Sequence, residues 1–76
     1  MTHYFFHIRS RTERIEDLEG GDFDNLPAAL AEARLSAREL LADDLRKGRR
    51  DEARRFEIVD ERGELVAQLP FDDALN

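Results

Sequence analysis

Cysteine and tryptophan are absent from the 76 residues, proline occurs twice and glycine four times. Without cysteine there is no disulfide, no cysteine-ligated zinc and no thiol nucleophile. No apolar run approaches the ~20 residues a membrane-spanning helix needs. The N-terminus also lacks the pattern of a secretory signal. These absences predict a soluble cytoplasmic protein with no membrane partner. The length predicts a single domain over residues 1–76. A core this small rarely leaves more than ~3–5 kcal/mol of stability, so a partner is a natural supplement.

Base is scarcer than acid. Eighteen Asp and Glu stand against twelve Lys and Arg, a net charge of −6, which disfavours nucleic acid as a partner. The distribution is uneven. Glu16, Asp17, Glu19, Asp22 and Asp24 form an acidic stretch without a base. Arg46, Lys47, Arg49, Arg50, Arg54 and Arg55 form a basic one, relieved only by Asp51 and Glu52. The simplest reading of the basic stretch is a solvated turn paired with nearby carboxylates, and the sharper one is an anion-binding patch.

One stretch organises the rest. From about Leu26 to Lys47, a helical spacing places Leu26, Leu30, Ala33, Ala37, Leu40, Leu41 and Leu45 on one side. Asp24 and Asn25 supply N-cap chemistry, Pro27 suits the first turn, and Gly48 suits the stop. Ala28, Ala31, Leu35 and Ala42 lie on the opposite side, where alanine serves as a good helix former.

The flanks read as strands. Thr2 to Arg9 alternates, with Tyr4, Phe6 and Ile8 on one face and His3, Phe5, His7 and Arg9 on the other. Arg14 to Asp17 reads as a second strand with Ile15 inward. The acidic loop and Gly20-Gly21 lead to the helix. Arg54 to Asp60 alternates again, turns at Arg62-Gly63, and returns as Glu64 to Leu69. In that last strand Leu65, Ala67 and Leu69 are expected inward, Val66 and Gln68 outward. Pro70 closes it, and Phe71 can fold back under the helix. The expectation is an α+β two-layer ββαββ domain: a four-stranded sheet with one long helix packed on one face. Pattern alone leaves the strand order open, including the β-grasp order with its parallel terminal strands.

Several of these stretches resemble a known family. Tyr4-Phe5-Phe6-His7-Ile8-Arg9, the acidic loop and the Ala29 to Leu41 helix carry the likeness. Arg54-Arg55-Phe56-Glu57-Ile58 and the closing Leu69-Pro70-Phe71 extend it over nearly the whole chain. The family is a domain of unknown function found in small bacterial proteins, common in alphaproteobacteria. The resemblance implies a bacterial cytoplasmic protein and carries no activity or catalytic residues with it. The chain departs from the family at Asn25-Leu26-Pro27, where an acidic cap more often stands nearer the helix. A looser likeness, of architecture alone, is to antitoxins of the HicB kind.

The titratable residues do not converge on a catalytic pattern. His3 and His7 share a strand face but stand too far apart to hold a metal without further ligands. Asp43-Asp44, Asp51-Glu52 and Asp72-Asp73 are adjacent pairs whose side chains diverge. Ser10 and Ser36 lack a nucleophile-elbow context, and Gly20-Gly21 is no phosphate loop. The expectation is therefore no enzyme, with no catalytic, cofactor-binding or metal-ligating residue and no cofactor.

A single helix covers one face of a sheet. Phe5, Val59 and Val66 are expected on the other, with His3, His7, Arg55, Glu57 and Gln68 around them, an apolar centre inside a polar rim. Phe5, Val59, Val66, His3 and His7 are thus the candidate interface, although scattered exposed apolar residues also occur on monomers. The sequence reads best as a non-catalytic interaction module meeting an unidentified protein or forming a homodimer through this face or a sheet edge. The alternatives are a nucleic-acid-linked regulator using Arg46 to Arg55, and an antitoxin-like inhibitor whose acidic loop meets a basic partner.

Overall fold

The structure, a computed structural model, describes residues 1–48 and 53–75. Its longest element is the helix α1, Leu26–Arg46. Asn25 is extended and its side chain accepts the Ala28 N–H at 2.9 Å, so the asparagine caps the helix directly before Leu26. Pro27 falls in the first turn, where its missing N–H leaves nothing unpaired. Gly48, at φ 70°, stands just beyond the C-cap Lys47.

Ala29, Ala33 and Ala37 are the buried residues of α1, one per turn, flanked by partly buried Leu26, Leu30, Leu40 and Leu41. Alanine lets the helix backbone come close to the sheet while the leucines straddle it. Two expectations need correction. Ala29 was missing from the inward line, and Leu45, placed in it, is 75% exposed. A 21-residue helix spans ~31 Å, whereas a six-residue strand spans ~20 Å, so its last turn outruns the layer beneath.

Among the described residues five strands make the sheet: β1 (Thr2–Arg9), β2 (Arg14–Ile15), β3 (Gly21–Phe23), β4 (Arg55–Asp60) and β5 (Leu65–Pro70). The order is β2-β1-β4-β5, with β3 also pairing β1. Every pairing among the described residues is antiparallel, and they contain no parallel pair of the β-grasp kind. The two-layer α+β architecture is as expected, with β3 added from the acidic loop. A 3₁₀ turn, Phe71–Leu75, follows β5 and buries Phe71 and Ala74. Arg38 Nε donates to the Ala74 carbonyl at 2.5 Å and ties that turn to α1.

Tyr4, Phe56, Ile58, Leu69 and Phe71 complete the core, with the Phe56 and Phe71 rings 4.9 Å apart. Ile15 lies opposite Ile8 but is 53% exposed, because β2 is only two residues long and stands at the rim. The largest departure lies in β5. Ile58 pairs with Ala67 and Val59 with Leu65, so Val66 is an extra residue in a bulge. The bulge inverts the alternation before it: Leu65 shares the outer face with Val59, and Val66 packs against the core.

Candidate functional site: the sheet edges and its open face

The two sides of the sheet end differently. On the β1 side, β3 pairs with Thr2, His3 and Tyr4, and β2 with Ile8 and Arg9. Between them the Phe6 N–H faces no strand. It donates instead to Asp17 Oδ2 at 3.0 Å, while Asp17 Oδ1 accepts the Glu19 and Gly20 N–H groups at 3.3 and 3.1 Å. One carboxylate thus bridges the gap and folds its own loop. Partial burial works against the charge on Asp17, but these bonds and the nearby His7 ring outweigh it and hold the carboxyl below its ordinary range. The Asp17 N–H donates in turn to His7 Nδ1 at 3.0 Å.

His3 fastens the next stretch of the same loop. Its Nδ1 lies 2.7 Å from Asp22 Oδ1 and its Nε2 2.7 Å from the Glu19 carbonyl. Both partners are acceptors, an arrangement that favours the ring protonated on both nitrogens. The Asp22 carboxylate first, and the Glu19 carbonyl next, raise its pKa above the usual value. Gly20 sits here at φ 66°. A Cβ on it would lie 2.5 Å from the Tyr4 carbonyl oxygen and 2.6 Å from His3 Nε2.

The other edge is β5, and among the described residues no strand pairs with its outer side. The Phe71 N–H bonds the Arg54 carbonyl just beyond the Arg55–Pro70 pair, which marks that pair as non-hydrogen-bonded. Alternation then makes Phe56–Leu69 and Ile58–Ala67 the bonded pairs. The Gln68 N–H and C=O therefore point away from β4, and Pro70 occupies a position whose N–H is not required. Leu-Val-Ala-Gln-Leu-Pro carries no charge, in a chain that is 39% charged. Natural edges are usually blunted by Lys or other charges, by bulges or by very short strands. Here only the bulge at one end and Pro70 at the other serve.

The open face divides into two halves. Phe5, Val59 and Leu65 lie side by side across β1, β4 and β5. The His3 and His7 rings flank Phe5 at 5.0 and 6.3 Å. His7 is buried, so of the five candidate interface residues Phe5, Val59 and His3 remain on this face with area to offer. Val66 belongs to the core side, and Leu65, 51% exposed, takes its place. The polar half centres on Glu57, whose carboxylate meets Arg9, Arg14 and Arg55 at 3.8, 3.6 and 3.5 Å. Arg55 Nε also donates to Gln68 Oε1 at 2.8 Å.

The basic stretch does not form one patch among the described residues. Arg46 and Lys47 both pair with Asp43, whose pKa the Lys47 hydrogen bond lowers. Arg54 pairs with Asp44 and lies over the Phe71 ring. Arg55 faces the open side of the sheet, and Arg49 and Arg50 lie outside the described residues. No three His, Asp or Glu side chains among the described residues are placed to share a metal ion. No helix described is long and apolar enough to cross a membrane.

Sequence reasoning missed Asp17, Arg9, Arg14 and Leu65. Asp17 carried a usable signal, an aspartate two and three residues before the N–H groups it accepts, the mark of an Asx turn before glycine. Leu65 carried none, because strict alternation cannot show a bulge.

These features define a small α+β domain with one sheet edge closed by a carboxylate and the other left open. The chain belongs to DUF6894, a domain of unknown function, whose family model matches residues 3–72. No curated protein and no solved structure matches it.

Proposed function

We propose that this domain is a non-catalytic protein-interaction module that forms a symmetric dimer through the β5 edge. The observation that carries the reading is the uncharged β5, whose outer side meets no strand among the described residues, with the Gln68 N–H and C=O directed outward. Two copies of an antiparallel edge are complementary to each other about a two-fold axis. With the axis at Gln68, each Gln68 N–H meets the other copy's Gln68 carbonyl. With that axis Leu65 of each copy lies opposite position 71 of the other, so the two Phe5, Val59 and Leu65 rows stay apart and Val59 is not part of the contact. The open face supports stacking of two sheets less well, since half of it is the Glu57 ion cluster, whose desolvation is costly.

The nucleic-acid-linked alternative loses support, because the described residues of the basic stretch each meet a carboxylate of the same chain. The antitoxin-like alternative would use the acidic loop, yet Asp17 and Asp22 there are engaged within the domain.

Sedimentation equilibrium tests the reading. Wild type should approach a dimer mass as concentration rises, and Gln68→Pro, which deletes one outward N–H, should stay monomeric with an unchanged circular dichroism spectrum. Val59→Lys, on the open face, should leave the edge dimer intact. A wild-type mass that stays monomeric, or a dimer lost only in Val59→Lys, would reject edge pairing.

A further inference from the structure

Between α1 and the β1–β3 corner lies a cavity of about 360 Å³. Its apolar wall consists of Phe6, Phe23 and Phe56. The Phe6 ring stands edge-on to both others, 5.6 Å from Phe23 and 6.2 Å from Phe56. Phe6 and Phe23 are only partly buried although they pack against the core, so the helix does not fully cover them. The gap has a plain origin in the sequence. α1 crosses above these rings at Ala33, which is buried to its methyl group and fills little volume.

The polar lining is of one sign. Asp17 approaches from the loop, and from α1 come Glu32 and the Ser36 hydroxyl, which donates to Glu32 Oε2 at 3.4 Å. No basic side chain among the described residues lines the cavity. Asp17 is held as a carboxylate by its backbone partners, so it cannot relieve the local negative potential by taking a proton near neutral pH. Aromatic faces with carboxylates beside them attract cations through the ring quadrupole and through charge. The same surroundings repel anions and give a neutral apolar molecule no advantage from charge. The volume lies near the lower end of the ~300–1,000 Å³ usual for ligand pockets, which limits the occupant to a small molecule.

We propose that this cavity binds a small organic cation, an ammonium group on a short apolar stem, with the three phenylalanine rings as its wall and Asp17 and Glu32 as its counter-charges. The site is separate from the β5 edge, so it stands whether or not the protein dimerises. The cationic head lies toward the Glu32 and Asp17 side, and the stem lies against the rings.

The test is an NMR titration of the full chain with choline and with n-butylammonium. Each is matched against its uncharged analogue, in which carbon replaces the charged nitrogen. The cations should shift the ring resonances of Phe6, Phe23 and Phe56 with millimolar affinity, and the uncharged analogues should bind about tenfold more weakly. Glu32→Gln should weaken the cations several-fold and leave the analogues unchanged. Glu39→Gln, elsewhere on the same helix, should do neither. Absence of ring shifts with both cations, equal binding of charged and uncharged partners, or indifference to Glu32→Gln would each overturn the proposal.

Discussion

On the β1 side of the sheet, Asp17 takes up three backbone N–H groups, and two short strands pair with the rest of the edge. On the β5 side, six uncharged residues present Gln68 with nothing opposite it among the described residues. The chain is not short of charge to place there. The same 39% of charged residues supplies three arginines around Glu57 one strand away. The difference is therefore one of position. A closed edge needs a carboxylate at the right backbone gap, and an open edge needs its absence. The proposed edge pairing rests on that contrast.

The largest break in the comparison should come from removing the closure. Asp17→Ala leaves the Phe6 N–H without its acceptor beside a partly buried strand and unties the loop at Glu19 and Gly20. A cost of about 3 kcal/mol is expected, since bonds to a charged group are lost and a donor is left unmet. Chemical denaturation measures it. A loss below ~1 kcal/mol would mean that water replaces the carboxylate freely. The variant should also expose β1 as a second open edge, so a rise in association with concentration would accompany the loss.

Gly20→Ala should come next. Both the positive φ and the close Tyr4 carbonyl oppose a methyl group there, and about 2 kcal/mol is expected. Gly48→Ala is the control. Its φ is also positive but nothing lies within 4 Å of the added carbon, so only the backbone strain of ~1 kcal/mol remains. Equal losses in the two variants would show that the packing of the loop onto β1 contributes nothing.

Much of this contrast was legible beforehand, and the illegible part has a physical cause. The helix announced itself through Asn25, Pro27 and its leucine and alanine spacing. The alternation of Tyr4, Phe6 and Ile8 against His3, Phe5 and His7 set the faces of β1. Yet His7, on the outer face, is buried, because the acidic loop folds back over the edge. A loop path depends on tertiary contacts that no periodicity records. The bulge at Val66 has the same character. It exchanges Leu65 and Val66 between faces without changing one residue of the pattern. The cavity, too, was out of reach, since it needs Ala33 to stand over Phe6 and Phe23.

Acidity should separate the edges more gently. Asp17 has its pKa lowered from 3.8, so its contribution is present above that value and is lost as pH falls through the lower folded value. His3 has its pKa raised from 6.5, so its contribution is complete below 6.5 and is lost as pH rises through the higher folded value. The closed edge should be tightest between these limits. β5 carries no titratable side chain, so its pairing should be nearly level across the same range. A histidine ring titration by NMR gives the His3 value directly, and one at or below 6.5 would contradict the two-acceptor geometry. His3→Gln should remove the alkaline limb of the stability profile and leave the acid limb.

The smallest effect tests the assignment of inward and outward groups on β5. In dilute solution, where no dimer forms, Gln68→Pro should change stability by no more than about 0.5 kcal/mol, because the N–H it deletes points away from β4. Ala67 before it is already extended, as a residue preceding proline prefers. Among the described residues, the side-chain bond it loses is the exposed one from Arg55 Nε. Leu69→Pro, one residue on, is the contrast. It deletes an N–H that pairs with Phe56, together with a buried leucine, and should cost several times more. If Gln68→Pro were instead the damaging change, Ala67 and Leu69 would be the residues facing outward. The two-fold axis would then move off Gln68, and the open edge would offer a partner a different set of hydrogen bonds.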